Sequence, residues 1–83
     1  MTAPEWLTQR GGALKLGSDQ ETWYVVFNDK PLYGFTSVPA GGRHGCSIKQ
    51  TMNGSRVPAT NVYDTPDAAL KGCLEDIRAT LGW

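Results

Sequence analysis

The final segment of the chain carries its one long helical pattern, and this pattern limits what the rest of the chain can fold into. Thr65 suits the N-cap position, Pro66 the first helical position and Gly82 the residue after the last turn. Between them, apolar side chains recur at the spacing of one helix face, at Leu70, Cys73, Leu74, Ile77 and Leu81. A sheet built from the preceding residues needs a cover for its apolar face, and this helix is the candidate for that role.

Strand patterns occupy most of the chain before the helix. Six consecutive β-branched and aromatic residues, 22–27, give the strongest pattern and predict a central strand. Residues 32–38 predict its hairpin partner, because Pro31 is tolerated at the start of a strand. Shorter strands are expected at residues 13–16, 46–52 and 55–57.

Glycine, proline and asparagine mark the turns between these strands. Asn53 followed by Gly54 is the pair typical of a two-residue type I′ hairpin turn. Residues 39–45 contain three glycines and one proline, so we expect a loop there. Pro4 suits the first turn of a short N-terminal helix, which the glycine pair at residues 11–12 would end.

These elements predict an α+β fold of two layers, in which a three- to four-stranded antiparallel sheet is covered by one C-terminal helix. The N-terminal residues allow a further short helix. Eighty-three residues suffice for one domain, which we expect to span residues 1–83. A chain of this length buries only about 60 to 65% of the surface that its unfolded form exposes, so its stability should be modest.

The composition argues against several classes of protein. No run approaches the roughly 18 to 20 apolar residues that span a bilayer, which predicts a soluble chain with no membrane partner. The first residues lack the basic and apolar regions of a secretory signal, so we expect the reducing cytoplasm. Cys46 and Cys73 are too few and too far apart in sequence for a disulfide framework or a zinc site, and no metal or other cofactor is expected.

Positive charge is concentrated in the middle of the chain, although the net charge is zero. No acidic residue lies between Asp29 and Asp64, whereas the basic residues there are Lys30, Arg43, Lys49 and Arg56, with His44 beside Arg43. On an antiparallel sheet these side chains would commonly form the solvated face.

The alternative is an anion or nucleic-acid site. It would combine a basic sheet face with the glycine-rich loop from Gly41 to Gly45, and its ligating residues would be Arg43, His44, Lys49 and Arg56. The loop does not have the spacing of a phosphate-binding P-loop, and it leads into a strand instead of a helix. Zero net charge disfavours nucleic acid as the partner, because typical nucleic-acid-binding domains are strongly basic.

Two tyrosines bear on the same question. Tyr24 and Tyr33 lie on neighbouring strands of the predicted hairpin, where exposed rings would form a platform for stacking bases. The alternative is ordinary cross-strand packing. Three other aromatic residues are expected in the core, namely Trp23, Phe27 and Phe35.

No catalytic constellation is identifiable, so we do not expect an enzyme. His44 and Cys46 stand two residues apart on a predicted strand and invite a thiolate–imidazole pair. However, Cys46 is in phase with apolar Ile48, which favours a buried thiol, and no orienting carboxylate or amide is identifiable. Cys73 lies in the apolar stripe of the helix and is expected in the core.

The order of helix, three strands and helix is similar to that of the double-stranded-RNA-binding domain. Three strands with a trailing helix also resemble the sheet-reading DNA domains of plant factors and phage integrases. In the RNA-binding family the last helix opens with a lysine-rich turn, whereas here it opens with Asp64 and Asp67, which would repel a phosphate backbone. Residues 6–12, 22–25 and 81–83 resemble a small uncharacterised bacterial protein family with no assigned function.

The sequence therefore favours a small non-enzymatic protein-interaction module. Its partner would be another protein, bound by strand addition at the sheet edge near Pro58. The alternative is the anion or nucleic-acid site described above.

Overall fold

The computed structural model describes residues 1–83. In chain order the elements are α1 (Glu5–Thr8), β1 (Gly12–Leu16), β2 (Trp23–Phe27), β3 (Lys30–Ala40), β4 (Arg43–Gln50), β5 (Arg56–Val57) and α2 (Pro66–Leu81). The five strands form one antiparallel sheet in the order β1-β2-β3-β4-β5, so every strand lies beside its neighbour in the chain. Neither helix is long and apolar enough to cross a bilayer.

The predicted α+β fold with a C-terminal helix and a short N-terminal helix is confirmed. The predicted number of strands, three to four, was too low. The structure has five strands because a short strand is added at each edge of the sheet. β1 pairs with β2 from Gly12 to Leu16, and Arg56 and Val57 of β5 pair with β4.

Tight turns join the central strands, and one of them corrects the expected loop at residues 39–45. β3 continues to Ala40 and β4 starts at Arg43, so only Gly41 and Gly42 form the turn. Both glycines have positive φ, 59° and 83°, which is the backbone of a two-residue type I′ hairpin. Two adjacent glycines therefore extend the hairpin instead of interrupting it.

The turn between β2 and β3 has the same form without glycine. Asn28 and Asp29 have φ of 50° and 63°, and they connect the paired residues Phe27 and Lys30. Asparagine and aspartate tolerate this left-handed backbone better than other residues with a Cβ, although glycine tolerates it best.

The predicted type I′ turn at Asn53 and Gly54 is wrong. Of the two residues only Gly54 has a positive φ, and Gln50 pairs with Ser55, so the loop contains four residues. The Asn53 side chain accepts a hydrogen bond from the Ser55 backbone at 2.9 Å, which stabilises this longer loop.

Alternation along the strands divides their side chains between two faces. The face toward α2 carries a row of paired residues that crosses all five strands, made of Leu16, Trp23, Phe35, Ile48 and Val57. The buried cluster that joins this face to α1 and α2 contains Leu7, Val25, Tyr33, Phe35, Ile48, Val57, Cys73, Leu74 and Ile77. Of the aromatic residues expected in the core, Phe35 is buried, while Trp23 and Phe27 are partly buried against the cluster.

Helix α2 begins and ends as its sequence predicts. The Thr65 side chain accepts a hydrogen bond from the Ala68 backbone at 3.1 Å, and Gly82 adopts the left-handed conformation after the last turn. The chain then reverses, which places the Trp83 ring 6.2 Å from Trp6 and 5.5 Å from Phe27 between ring centroids. This aromatic group ties the end of α2 to α1 and β2.

Gly72 lies in the middle of α2, where glycine is normally unfavourable. Tyr63 explains it, because a Cβ on Gly72 would overlap the hydroxyl and Cζ of the Tyr63 ring. Tyr63 also exchanges backbone hydrogen bonds with His44, at 2.7 and 2.9 Å, so its ring links the edge of β4 to the helix.

We expect Gly72→Ala to destabilise the protein by about 1–3 kcal/mol, because the new methyl group must displace the Tyr63 ring. Alanine is the better helix former by about 1 kcal/mol, so the helical preference acts in the opposite direction. In a Tyr63→Ala background the same substitution should become neutral or stabilising. Urea unfolding of the four variants measures this, and an equal effect of Gly72→Ala in both backgrounds would contradict the explanation.

We expect Asp29→Gly to stabilise the protein by about 0.5–1 kcal/mol, because Asn-Gly is the preferred pair for the turn formed by Asn28 and Asp29. Asp29→Asn is the matched control, since it removes the charge but keeps a side chain that tolerates positive φ. Thermal unfolding should show a clear gain for the glycine variant and a small change for the control. A gain of the same size in both would assign the effect to charge.

Candidate binding face

The face of the sheet that points away from α2 carries a second row of paired residues, which we call the cross-sheet row. Its members, one from each strand, are Lys15, Tyr24, Gly34, Lys49 and Arg56. Each is the chain neighbour of a residue on the face toward α2, so alternation places it on the opposite, open face. The three basic side chains are exposed and Tyr24 is half-buried.

Three of the five members of the cross-sheet row carry positive charge, and two of these lie at its ends. With strands about 4.8 Å apart, Lys15 and Arg56 lie at opposite ends of a row about 19 Å long. Lys49 and Arg56 are direct partners on adjacent strands. None of the three is in an ion pair, since the two salt bridges of the protein join Arg43 to Asp64 and Arg78 to Glu75. Three unpaired cations therefore share one surface.

Two glycines make room for the Tyr24 ring in this row. A Cβ on Gly34 would lie 3.0 Å from Tyr24 Cε1, and a Cβ on Gly17 would lie 2.9 Å from Tyr24 Cε2. Opposite edges of the ring therefore lie against bare backbone of β3 and of the turn after β1. A larger side chain at Gly34 would move the ring, so the glycine fixes the position of the aromatic side chain between the cations.

A shallow cleft of about 660 Å³ adjoins Tyr24 and Lys49 on the open face. Gly34 lies in its wall, and the hydroxyls around it belong to Thr22, Thr36, Ser47 and Thr51. The Thr36 hydroxyl donates a hydrogen bond to the Glu21 carbonyl at 3.2 Å, and the Thr51 hydroxyl donates to the Pro31 carbonyl. The cleft thus combines one aromatic ring, one cation and several neutral polar groups.

Arg43 and His44, although adjacent in sequence, do not join the cross-sheet row. Arg43 is six residues before Lys49 on β4, a distance of about 20 Å, and its guanidinium is paired with Asp64 at 2.9 Å. His44 alternates to the face toward α2, where it pairs with Tyr63. Because both belong to a strand and not to a loop, they point to opposite faces of the sheet.

The two tyrosines of the proposed stacking platform also lie on opposite faces. Tyr33 pairs with Val25 and is 7% exposed within the core cluster, whereas Tyr24 lies on the open face. The structure therefore brings together Tyr24, Lys49 and Arg56 from the predicted site residues. It adds Lys15, which was not among the predicted site residues because it lies outside the segment between Asp29 and Asp64 that has no acidic residue. The pairing register of β1 with β2 is the signal that places it here.

The cysteines lie between the sheet and α2. Cys46 Sγ donates a hydrogen bond to the Ala69 carbonyl at 2.9 Å, and the Cys46 and Cys73 side chains are close enough to interact by a hydrogen bond. Burial is the main cause that raises the pKa of both thiols. A nucleophilic cysteine needs a lowered pKa, so this environment opposes the thiolate that a pair with His44 would require.

A second cavity of about 680 Å³ lies between the N-terminal residues and α2. Trp6, Trp23 and Leu70 contribute apolar surface to it, and its charged side chains are of both signs, Asp67 and Glu75 against Lys71. It is similar in size to the cleft on the open face. The charged side chains of the cross-sheet row are all basic, so the open face is the better candidate site for a ligand of one sign.

Comparison with known proteins gives no match to a family model, to a curated protein or to a solved structure.

Asp76, on the side of α2 near the thiols, carries a carboxylate oxygen that is buried without a hydrogen-bond partner. Desolvation, followed by the nearby charge of Glu75, raises the pKa of Asp76 above its usual value. The folded protein therefore binds this proton more tightly than the unfolded chain does.

The contribution of Asp76 to stability should accordingly be most favourable below the usual carboxyl pKa and should become less favourable as the pH rises through the raised pKa of Asp76. We expect Asp76→Asn to increase the melting temperature at neutral pH, with the gain shrinking toward about pH 3, where wild-type Asp76 is protonated. Glu21→Gln, which removes an exposed carboxyl group, is the control. A gain for Asp76→Asn that is the same at both pH values would contradict this assignment.

Proposed function

We propose that this protein is a small non-enzymatic interaction module that binds a negatively charged partner on its open face. The observation that carries the proposal is the cross-sheet row, in which Lys15, Lys49 and Arg56 flank Tyr24 with no acidic residue between them. Unpaired cations on one surface attract an anionic partner and orient it.

The open face is a better binding surface than the sheet edge near Pro58. Strand addition depends on a row of backbone hydrogen bonds with the incoming strand. β5 consists of only Arg56 and Val57, and Pro58 lacks a backbone N–H to continue the ladder. An incoming strand would gain few hydrogen bonds there, whereas the open face extends across all five strands.

Zero net charge is compatible with this proposal, because much of the acidic charge lies away from the cross-sheet row. Helix α2, on the other side of the sheet, carries three acidic residues against two basic ones, namely Asp67, Glu75 and Asp76 against Lys71 and Arg78. Asp64 is paired with Arg43. Asp29 lines a small pocket with Lys15 and Tyr24 and offsets part of the positive charge there. A partner that contacts Lys49 and Arg56 still meets a local positive charge, since the potential of the acids on α2 is screened within about 8–10 Å in physiological salt.

The absence of enzymatic activity and a cytoplasmic location are further parts of the proposal. The raised pKa of Cys46 argues against a thiol nucleophile. A reducing compartment such as the cytoplasm would keep Cys46 and Cys73, which lie close to each other, as thiols.

Polyphosphate binding at low ionic strength tests the proposed face. We expect Lys49→Ala to weaken the affinity about threefold to tenfold, because one of the three cations of the cross-sheet row is lost. Lys71→Ala on α2 removes the same charge from the opposite side and should change the affinity by less than about twofold. Calorimetric titration measures both, with circular dichroism to confirm folding. If both variants lost the same affinity, the effect would come from the net charge of the protein, and the assignment of binding to the open face would be wrong.

A further inference from the structure

We infer that the partner of the open face is single-stranded nucleic acid, one nucleotide of which occupies the cleft between Tyr24 and Lys49. This inference rests on the proposed function, because it names the chemistry of the anion that the same surface binds. It adds a base-stacking role for Tyr24 and a phosphate-binding role for Lys49 and its neighbours.

The position of Tyr24 supports a nucleotide over a simple anion. Proteins that bind single strands combine cations along the backbone with an aromatic side chain on which a base stacks. The Tyr24 ring rests against Gly17 and Gly34 and has cations on both sides of it, Lys15 on β1 and Lys49 on β4. A nucleotide that stacks on this ring therefore has a cation within reach for its phosphate in either direction.

The cleft beside Tyr24 fits the rest of a nucleotide. Its volume of about 660 Å³ lies within the range of pockets that hold small organic ligands, about 300–1,000 Å³. Ser47 and Lys49, which alternate to the open face, line it together, and the Ser47 hydroxyl offers both a donor and an acceptor to the edge of a base. A phosphate ion would contact only the cations, whereas a nucleotide would contact the cations, the polar groups of the cleft and the Tyr24 ring.

The shape of the open face disfavours a duplex. A sheet five strands wide measures about 19 Å across, whereas the major groove of B-DNA is about 12 Å wide. Tyr24 and Lys49 lie on the interior strands β2 and β4 and not on a protruding loop, and the flat surface around them is too wide to bring them into the groove. A single strand presents its bases and phosphates together and can lie along the row.

The number of cations sets the expected salt dependence. With three phosphate contacts from Lys15, Lys49 and Arg56, the logarithm of the association constant should fall with the logarithm of salt concentration with a slope of about −2 for a single strand. Each cation removed should reduce this slope by about 0.7.

Fluorescence anisotropy provides the test, with labelled single-stranded DNA and RNA of twelve nucleotides, the corresponding duplex, and polyglutamate of equal charge. We expect both single strands to bind more tightly than the duplex and the peptide, and Tyr24→Ala to weaken them about 5- to 150-fold. Tyr24→Phe should retain most of the affinity, since its ring still stacks. A difference between the DNA and RNA arms identifies which strand is preferred.

Because Tyr24→Ala can disturb the sheet, NMR titration of the wild-type protein supplies a second measurement. The amides of Tyr24, Gly34 and Lys49 should shift on addition of the single strand, and those of α2 should not. If polyglutamate binds as tightly as the single strands and Tyr24→Phe and Tyr24→Ala bind alike, the nucleic-acid inference is overturned while the anionic-partner proposal stands. If no anion, polyphosphate included, shifts these amides, both are overturned.

Discussion

One helix covers one side of a five-stranded sheet, and the rest of the structure follows from this constraint. The apolar side chains of α2 bury Phe35 and Ile48 on the face toward it. Residues 1–83 form no second long helix, and none of their elements covers the opposite face. Alternation along the strands then separates the residues needed for stability from those available for binding, which is why Tyr24 and Tyr33 lie on different faces.

Glycines shape both surfaces by admitting an aromatic ring where a Cβ would block it. On the covered face, Gly72 of α2 accepts the ring of Tyr63 and so fixes the edge of β4 against the helix. On the open face, Gly34 accepts the ring of Tyr24. The same packing arrangement thus stabilises the fold on one side and positions a half-buried aromatic side chain on the other. Glycine is less stable than alanine in the interior of a helix or strand, so Gly72 destabilises α2 and Gly34 destabilises β3. The packing of the tyrosine rings against these glycines offsets that loss of stability.

The sequence predicted the covering helix and the strands more successfully than the turns. Helical periodicity and the cap at Thr65 are local signals, and so is the aromatic run in β2. Turn geometry depends on backbone angles that residue identity restricts only partly: Gly41 and Gly42 make a tight turn where a loop was expected, and Asn53 keeps a negative φ where a type I′ turn was expected. The cross-sheet row depends on register between strands, so Lys15 could not be placed beside Tyr24 from sequence alone.

Charge segregation links this fold to its proposed role. The segment between Asp29 and Asp64, which has no acidic residue, includes Arg43, Lys49 and Arg56. Residues that are close in sequence do not necessarily lie on the same surface of the folded protein. Pairing with Asp64 removes Arg43 from the set of free cations, while strand register adds Lys15 from outside the run. The result is a positive row on a neutral protein. Three cations supply charge without distinguishing one anion from another, so selective binding of the proposed single strand depends on Tyr24, the aromatic side chain in the row.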